Sequence, residues 1–188
     1  MPLSAPTRAR QPIHTRSIRV DSYLRDDGLW DIEAELIDTK AYDFQLREGD
    51  TQRAGDPVHH MRLRITIDDD LNILDAEAAY EAAPYGEFCS AIAPAYRALI
   101  GLNLRDHFRK RVRERFARTA GCTHVTELTN VLPTVAIQTM AVRRRQAPPS
   151  SERPFQLEGC HALALGAPAV EAFYPQWYSP GGSARHED

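Results

Sequence analysis

Through the first half of the chain, apolar and polar residues alternate with a period of two. From Ser17 to Leu24, Ile18, Val20, Ser22 and Leu24 face one way while Arg19, Asp21 and Tyr23 face the other, the pattern of a half-buried strand. Arg25-Asp26-Asp27-Gly28 supplies turn chemistry, because Asp-Gly favours positive φ and a tight hairpin. A second strand follows, with Trp30, Ile32, Ala34 and Leu36 opposite Asp31, Glu33 and Glu35, so its outer face is acidic. Ala41 to Pro57, with Gly49, Asp50, Gly55 and Asp56, reads as a loop or a broad hairpin connection. The third strand sets Met61, Leu63, Ile65 and Ile67 against Arg62, Arg64, Thr66 and Asp68. After the turn at Asp68-Asp69-Asp70, a fourth strand is expected from Leu71 to Tyr80, although Ala76 to Ala83 suits a helix equally well.

Beyond Pro84 the period changes. Ala91 to Ile100 predicts a short buried helix, and Asn103 to Arg118 carries Leu104, Phe108, Val112 and Phe116 at fourfold spacing, with a basic and solvated opposite face. Gly121 opens a further helix in which Thr123 is the expected N-cap and Leu128, Val131, Leu132, Val135 and Ala136 form the core stripe. Pro133 either kinks it or begins a second helix. Gln146 to Ser151 is a linker by composition, and Phe155 to Tyr178 is a final packed excursion. Strands followed by helices imply an α+β fold, an antiparallel sheet of about four or more strands packed by helices from the C-terminal half. Residues 1–12 are expected to be a mobile arm, 13–180 a single domain and 181–188 a disordered tail.

Composition narrows the class of function. With 188 residues, 43% of them hydrophobic, the chain can bury one good core. A net charge of -3 gives no field that would attract nucleic acid or an anionic membrane. No apolar stretch approaches a signal peptide or the roughly 20 residues of a membrane span, so the expectation is a soluble cytoplasmic protein. The odd set Cys89, Cys122 and Cys160 fits a reducing compartment. Phosphate loops, nucleophile elbows and dinucleotide fingerprints are all missing, which argues against nucleotide-dependent chemistry.

Several polar residues are not needed by local structure. His124 and Glu127 lie three apart in the first turn of a predicted helix and so share a face. A neutral histidine there is a competent base, and the structural alternative is that Glu127 complements the helix dipole while His124 bonds a carbonyl. His59 and His60 precede the third strand and should point to opposite faces, so at most one joins a given site. Asp38 and Lys40 close the second strand, and Lys40 is conspicuous because Lys110 is the only other lysine. Two histidines with Glu127 or Asp38 have the ligand types for zinc or iron, yet the spacing matches no metal signature and acid-base work needs no metal. No cofactor is therefore expected, and a metal, if bound, would fall to His59, His124 and Glu127. The aromatic run Phe173 to Tyr178 makes a homodimer one option for assembly.

The chain resembles bacterial proteins grouped as domain of unknown function 2889. The likeness runs from Arg16 to Tyr178 and rests on Tyr23 to Asp31, Leu36 to Lys40, Pro57-Val58-His59 with Met61, Gly121 to Leu128, and Cys160-His161-Ala162. His60 stands where the family leads one to expect an acidic residue. The resemblance implies that Arg25, Asp27, Asp38, Lys40, His59, His124 and Glu127 belong to one design. It also implies a companion of aromatic-compound and lignin catabolism, similar to lyases that release formaldehyde from lignin-derived phenols through a quinone methide. On that expectation His59 or His124 serves as base and acid, Lys40 or Arg25 holds the phenolate, Glu127 or Asp38 orients, and Trp30, Tyr85 or Phe88 forms the aromatic slot. A metal-dependent hydrolase or lyase and a non-catalytic binding or interaction module are the alternatives.

Overall fold

The four alternating stretches form one antiparallel sheet in the computed structural model, which describes residues 2–46, 49–141, 143 and 152–181. Its strands are β1 (His14–Leu24), β2 (Trp30–Lys40), β5 (Pro57–Ile67) and β6 (Ile73–Ala82), in the order β1-β2-β5-β6. Two short strands, β3 (Phe44–Gln45) and β4 (Thr51–Gln52), pair within the β2–β5 connection and make it a broad hairpin. The Ala-rich segment that could have been helical is the second half of β6.

Turn chemistry sets the register. Asp26, Asp27 and Gly28 form a three-residue connection closed by the Arg25 amide donating to the Leu29 carbonyl at 2.9 Å. Gly28, at φ 85°, takes the left-handed position that such a loop requires. From that anchor β1 and β2 pair without interruption, from Leu24 opposite Trp30 to His14 opposite Lys40.

One face of the sheet is apolar. Ile32, Ala34 and Leu36 of β2 and Met61, Leu63, Ile65 and Ile67 of β5 are buried there. Full burial of each large aliphatic side chain stabilises the fold by about 2 kcal/mol. On the other face Arg62 pairs with Glu35 and Glu81, and Arg64 with Glu33 and Glu77. Strand alternation thus separates a core face from a charged face.

Helices cover the core face: α1 (Glu87–Ser90), α2 (Phe108–Phe116), α3 (Thr123–Thr129) and α4 (Leu132–Thr139). Ala93–Leu99 is a 3-10 helix packed on β6. The α2 helix begins later than its apolar spacing suggests, because His107 is left-handed at φ 47° and interrupts the run. Pro133 sits in the first turn of α4, just after Leu132, so the proline belongs to the opening of a second helix instead of kinking the first. Both α3 and α4 lie across β2, with α3 reaching β5 and α4 reaching β1.

The chain divides into two compact units, Met1–Arg144 and Arg145–Asp188. In the second unit, 3-10 turns at His161–Leu163 and Pro175–Trp177 flank α5 (Pro168–Phe173), and Gln156 donates to the Tyr174 hydroxyl at 3.3 Å. The linker composition at Gln146–Ser151 lies outside the described residues, as does all of the expected tail after Gly181. Among the described residues no helix is long and apolar enough to cross a membrane.

Candidate functional site

Pairing across three strands builds the floor of the site. Arg16 of β1 lies opposite Asp38 of β2, and Asp38 lies opposite His59 of β5, so three side chains form one row on the core face. Asp38 continues the buried series Ile32, Ala34, Leu36 and is itself only 3% exposed. A carboxylate at that depth needs partners. Arg16 supplies a fork, Nε to Oδ1 at 2.8 Å and Nη2 to Oδ2 at 2.7 Å. His14 Nε2 lies 3.1 Å from Oδ1, and His59 Nδ1 lies 3.1 Å from Oδ2.

The α3 helix closes the site from above. Its i, i+3 pair spans the row: His124 lies over His59 with ring centroids 3.9 Å apart, and Glu127 pairs with the other end of the Arg16 guanidinium. His124 Nε2 is 3.7 Å from Asp38 Oδ2, and its Nδ1 is 3.9 Å from Cys122 Sγ. The start of α3 is held by Tyr96, fully buried, whose hydroxyl accepts from the Cys122 amide at 2.9 Å and lies 2.8 Å from Thr126 Oγ1. The N-cap position belongs to Cys122, not to the expected Thr123, which is the first helical residue. Gly121 is extended at φ -150°, so its role is space and not turn geometry. A Cβ there would sit 2.7 Å from the Phe116 Cβ and 2.8 Å from the Phe116 carbonyl oxygen.

Electrostatics assign the protonation states. Burial pushes Asp38 upward, but the Arg16 guanidinium, with His59 and His14 adding to it, holds the carboxyl at about 2. Asp38 is an anion throughout the neutral range. Burial lowers the pKa of both His59 and His124, and each ring is further disfavoured as a cation by Arg16. The charge of His59 adds to this for His124 and that of His14 for His59, and together these outweigh Asp38, which favours the cation of both rings. The result is a fixed anion beneath two imidazoles biased toward neutrality.

A cleft of about 600 Å³ opens beside the pair, lined by His59, His124, Met61, Tyr85, Phe88 and Ile92 among others. Cys89 and Cys122 also border it. Tyr85 and Phe88 are largely exposed at its edge, with Phe88 82% accessible. A planar apolar ligand placed there would meet both imidazoles.

The structure brings together Asp38, His59, His124 and, through Arg16, Glu127, with Tyr85 and Phe88 on the adjoining cleft. Lys40 closes β2 two residues past Asp38, about 7 Å along the strand, and shares its face by strand alternation. Arg25, Asp27 and Trp30 stand apart, at the far end of the β1–β2 hairpin, about 26 Å from Asp38 by strand rise. Arg25 forms a local fork with Asp27 and reaches Asp31, while the Trp30 indole donates to Asp69 and carries Arg143 over its ring at 4.9 Å. His60 faces the opposite side of the sheet, between Glu35 and Glu81.

Among the described residues the group able to hold a metal ion is Asp38, His59 and His124, whose ligand atoms lie within 4.8 Å of one another. Glu127, expected in that set, is turned to Arg16 instead. Arg16 and His14 are site residues that the motif reading misses. The signal for Arg16 is arithmetic: counting back from the Asp26-Asp27-Gly28 turn places it opposite Asp38.

No curated protein and no solved structure matches the chain. A family model described as protein of unknown function (DUF2889) matches residues 14–138, which contain the whole sheet and every residue of the site, while Cys160-His161-Ala162 falls outside the match. Over that span, which is most of its length, the chain belongs to the DUF2889 family of proteins of unknown function.

Proposed function

We propose that this protein is an enzyme, a lyase that moves protons on an aromatic small molecule. In its finer form the reading is release of formaldehyde from a lignin-derived phenol that carries a hydroxymethyl side chain. The observation that supports acid-base work is the stacked His59–His124 pair above the Asp38 carboxylate at the wall of an aromatic-edged cleft. The aromatic and formaldehyde parts of the reading draw on the family resemblance and on the shape and lining of that cleft.

The chemistry can be written with two neutral imidazoles at the start. One takes the phenol proton and passes it to the benzylic oxygen, which leaves as a hydroxyl compound while the phenolate electrons form a quinone methide. The other imidazole then removes the proton of the terminal hydroxyl. The bond between the hydroxymethyl carbon and its neighbour breaks, formaldehyde departs, and the electron pair forms a new carbon-carbon double bond as the ring regains its phenolate. Returning the proton to that phenolate restores the enzyme. Nothing is oxidised or reduced overall. His59, oriented by Asp38, suits the second step, and His124 suits the first. For a phenolate partner the proposal turns to Arg16, already forked to Asp38 and paired with Glu127, and to Lys40, two residues beyond Asp38 on β2, in place of the distant Arg25.

A second reading, metal-assisted lysis or hydrolysis, is favoured by the three converging ligand atoms of Asp38, His59 and His124. Against it stands the Arg16 fork, which occupies both carboxylate oxygens and withdraws charge that a cation would need. One experiment separates the two. Formaldehyde release from a phenolic diaryl propanediol is followed for protein purified without a metal-affinity step, with elemental analysis alongside. Full activity at substoichiometric metal supports the acid-base reading, and activity lost to a chelator and restored by one divalent ion supports the second. His59→Gln and His124→Gln should each lower kcat at least about a hundredfold with the melting temperature nearly unchanged. Wild-type turnover in both variants removes either form of the proposal.

A further inference from the structure

The outer edge of β1 is an open strand edge that the candidate site does not explain. Among the described residues β1 pairs only with β2, which leaves an edge of eleven residues, His14–Leu24. Edge strands of folded proteins are normally blunted by shortness, proline, charged side chains (lysine above all), inward-pointing charges or a bulge. Of the charged residues of β1, Arg16 points inward but is forked to Asp38, and Arg19 and Asp21 neutralise each other. Here β1 has neither proline nor lysine, and its pairing with β2 is unbroken along its whole length. Ile18, Tyr23 and Leu24 are exposed along it, and Ile13 just before it.

The charges on this edge are their own complement. Arg19 and Asp21 flank Val20 and both point to the charged face, where the present partner of Arg19 is Asp21 of the same strand at 2.8 Å. We infer that β1 pairs antiparallel with β1 of a second copy of this chain, about a two-fold axis through Val20 and perpendicular to the sheet, giving a continuous eight-stranded sheet. In that register Arg19 lies opposite Asp21 of the second copy, and Asp21 opposite its Arg19. Two-fold symmetry makes the match occur twice. Ile18 then faces Ser22 on the core side, Ser17 faces Tyr23 on the charged side, and Arg16 lies opposite Leu24.

Neighbouring registers lose this match. An axis through Arg19 sets two guanidinium groups opposite each other, one through Asp21 sets two carboxylates together, and one through Ile18 places Arg19 against Ser17. Opposite charges across strands stabilise pairing and like charges oppose it, so the Val20 register is selected over its neighbours. A peptide of unrelated sequence would have to reproduce the Arg-x-Asp order in reverse, whereas a second copy carries it by construction.

The test uses charge exchange on the full chain, read by analytical ultracentrifugation. Arg19→Asp alone and Asp21→Arg alone should each raise the dimer dissociation constant about tenfold or more, since each replaces two attractive pairs with two repulsive ones. An equal mixture of the two variants should recover association, because a chain acidic at both positions then faces a chain basic at both. Damage to the fold cannot produce that recovery. A wild-type chain that stays monomeric up to submillimolar concentration, single variants that associate as the wild type does, or a mixture that stays monomeric would each overturn the inference.

Discussion

Asp38 shows how much of this protein rests on one side chain. It is buried and ionised, with its carboxyl held at about 2 against an ordinary value near 3.8. Because the folded state releases this proton more readily than the unfolded chain, the stabilisation is fully present above about pH 4 and is lost as the pH falls through 2. The difference amounts to about 2 kcal/mol. Urea unfolding of the wild type and of Asp38→Asn should therefore give curves of stability against pH that differ in slope only in that acidic window. Equal slopes would mean that Arg16 does not compensate the carboxylate in solution. Asp38 itself is legible in the sequence as the polar end of an apolar series. What the sequence hides is burial, which depends on α3 crossing the row from more than eighty positions away. His14 and Arg16 are hidden for a related reason: in a strand whose edge is open, a charged residue looks like solvent-facing surface until its cross-strand partner is known.

At the scale of elements, the alternation of period two locates β1, β2 and β5 and tells their two faces apart, whereas β6, whose Ala-rich second half suits a helix equally well, is settled by pairing with β5. The helical half is less legible. Its helices are short, and their ends are decided by His107, by the Tyr96 hydroxyl and by close packing, none of which leaves a periodic trace. Gly121 is the clearest case. Its glycine looks like a turn residue, but the structure assigns it the space between α2 and α3, where a methyl group would strike backbone and side-chain atoms of Phe116. Gly121→Ala should cost about 2 kcal/mol of stability and shift His124 away from His59. Thermal denaturation measures the first effect, and histidine proton NMR, through the loss of mutual ring shielding, measures the second. A variant as stable as the wild type would show that α2 and α3 separate easily.

For the molecule, the site is a product of the whole sheet and not of any segment. Its members come from β1, β2, β5 and α3, so no short motif could announce it, and Arg25, Asp27 and Trp30 fall elsewhere although they lie in the same conspicuous hairpin. The hairpin is long enough that residues adjacent in motif reading end at opposite poles. The family match covers the sheet and α3 together, which are the parts that must coexist for the row to form.

The place of Arg16 and His14 on β1 has a consequence for heat. In a single copy of the chain β1 is an edge strand, and edge strands open at lower free energy than central ones because they have one neighbour to leave. When β1 peels from β2, the fork and one imidazole depart while Asp38 remains sealed under α3, a bare charge that the rest of the fold must expel. If the proposed acid-base function holds, turnover should then fail before cooperative melting begins. The proposed turnover, assayed at temperature on protein dilute enough to be monomeric and plotted beside far-ultraviolet circular dichroism, should fall several degrees ahead of the spectroscopic midpoint and recover on cooling. Coincident curves would mean that β1 is held as firmly as the centre of the sheet.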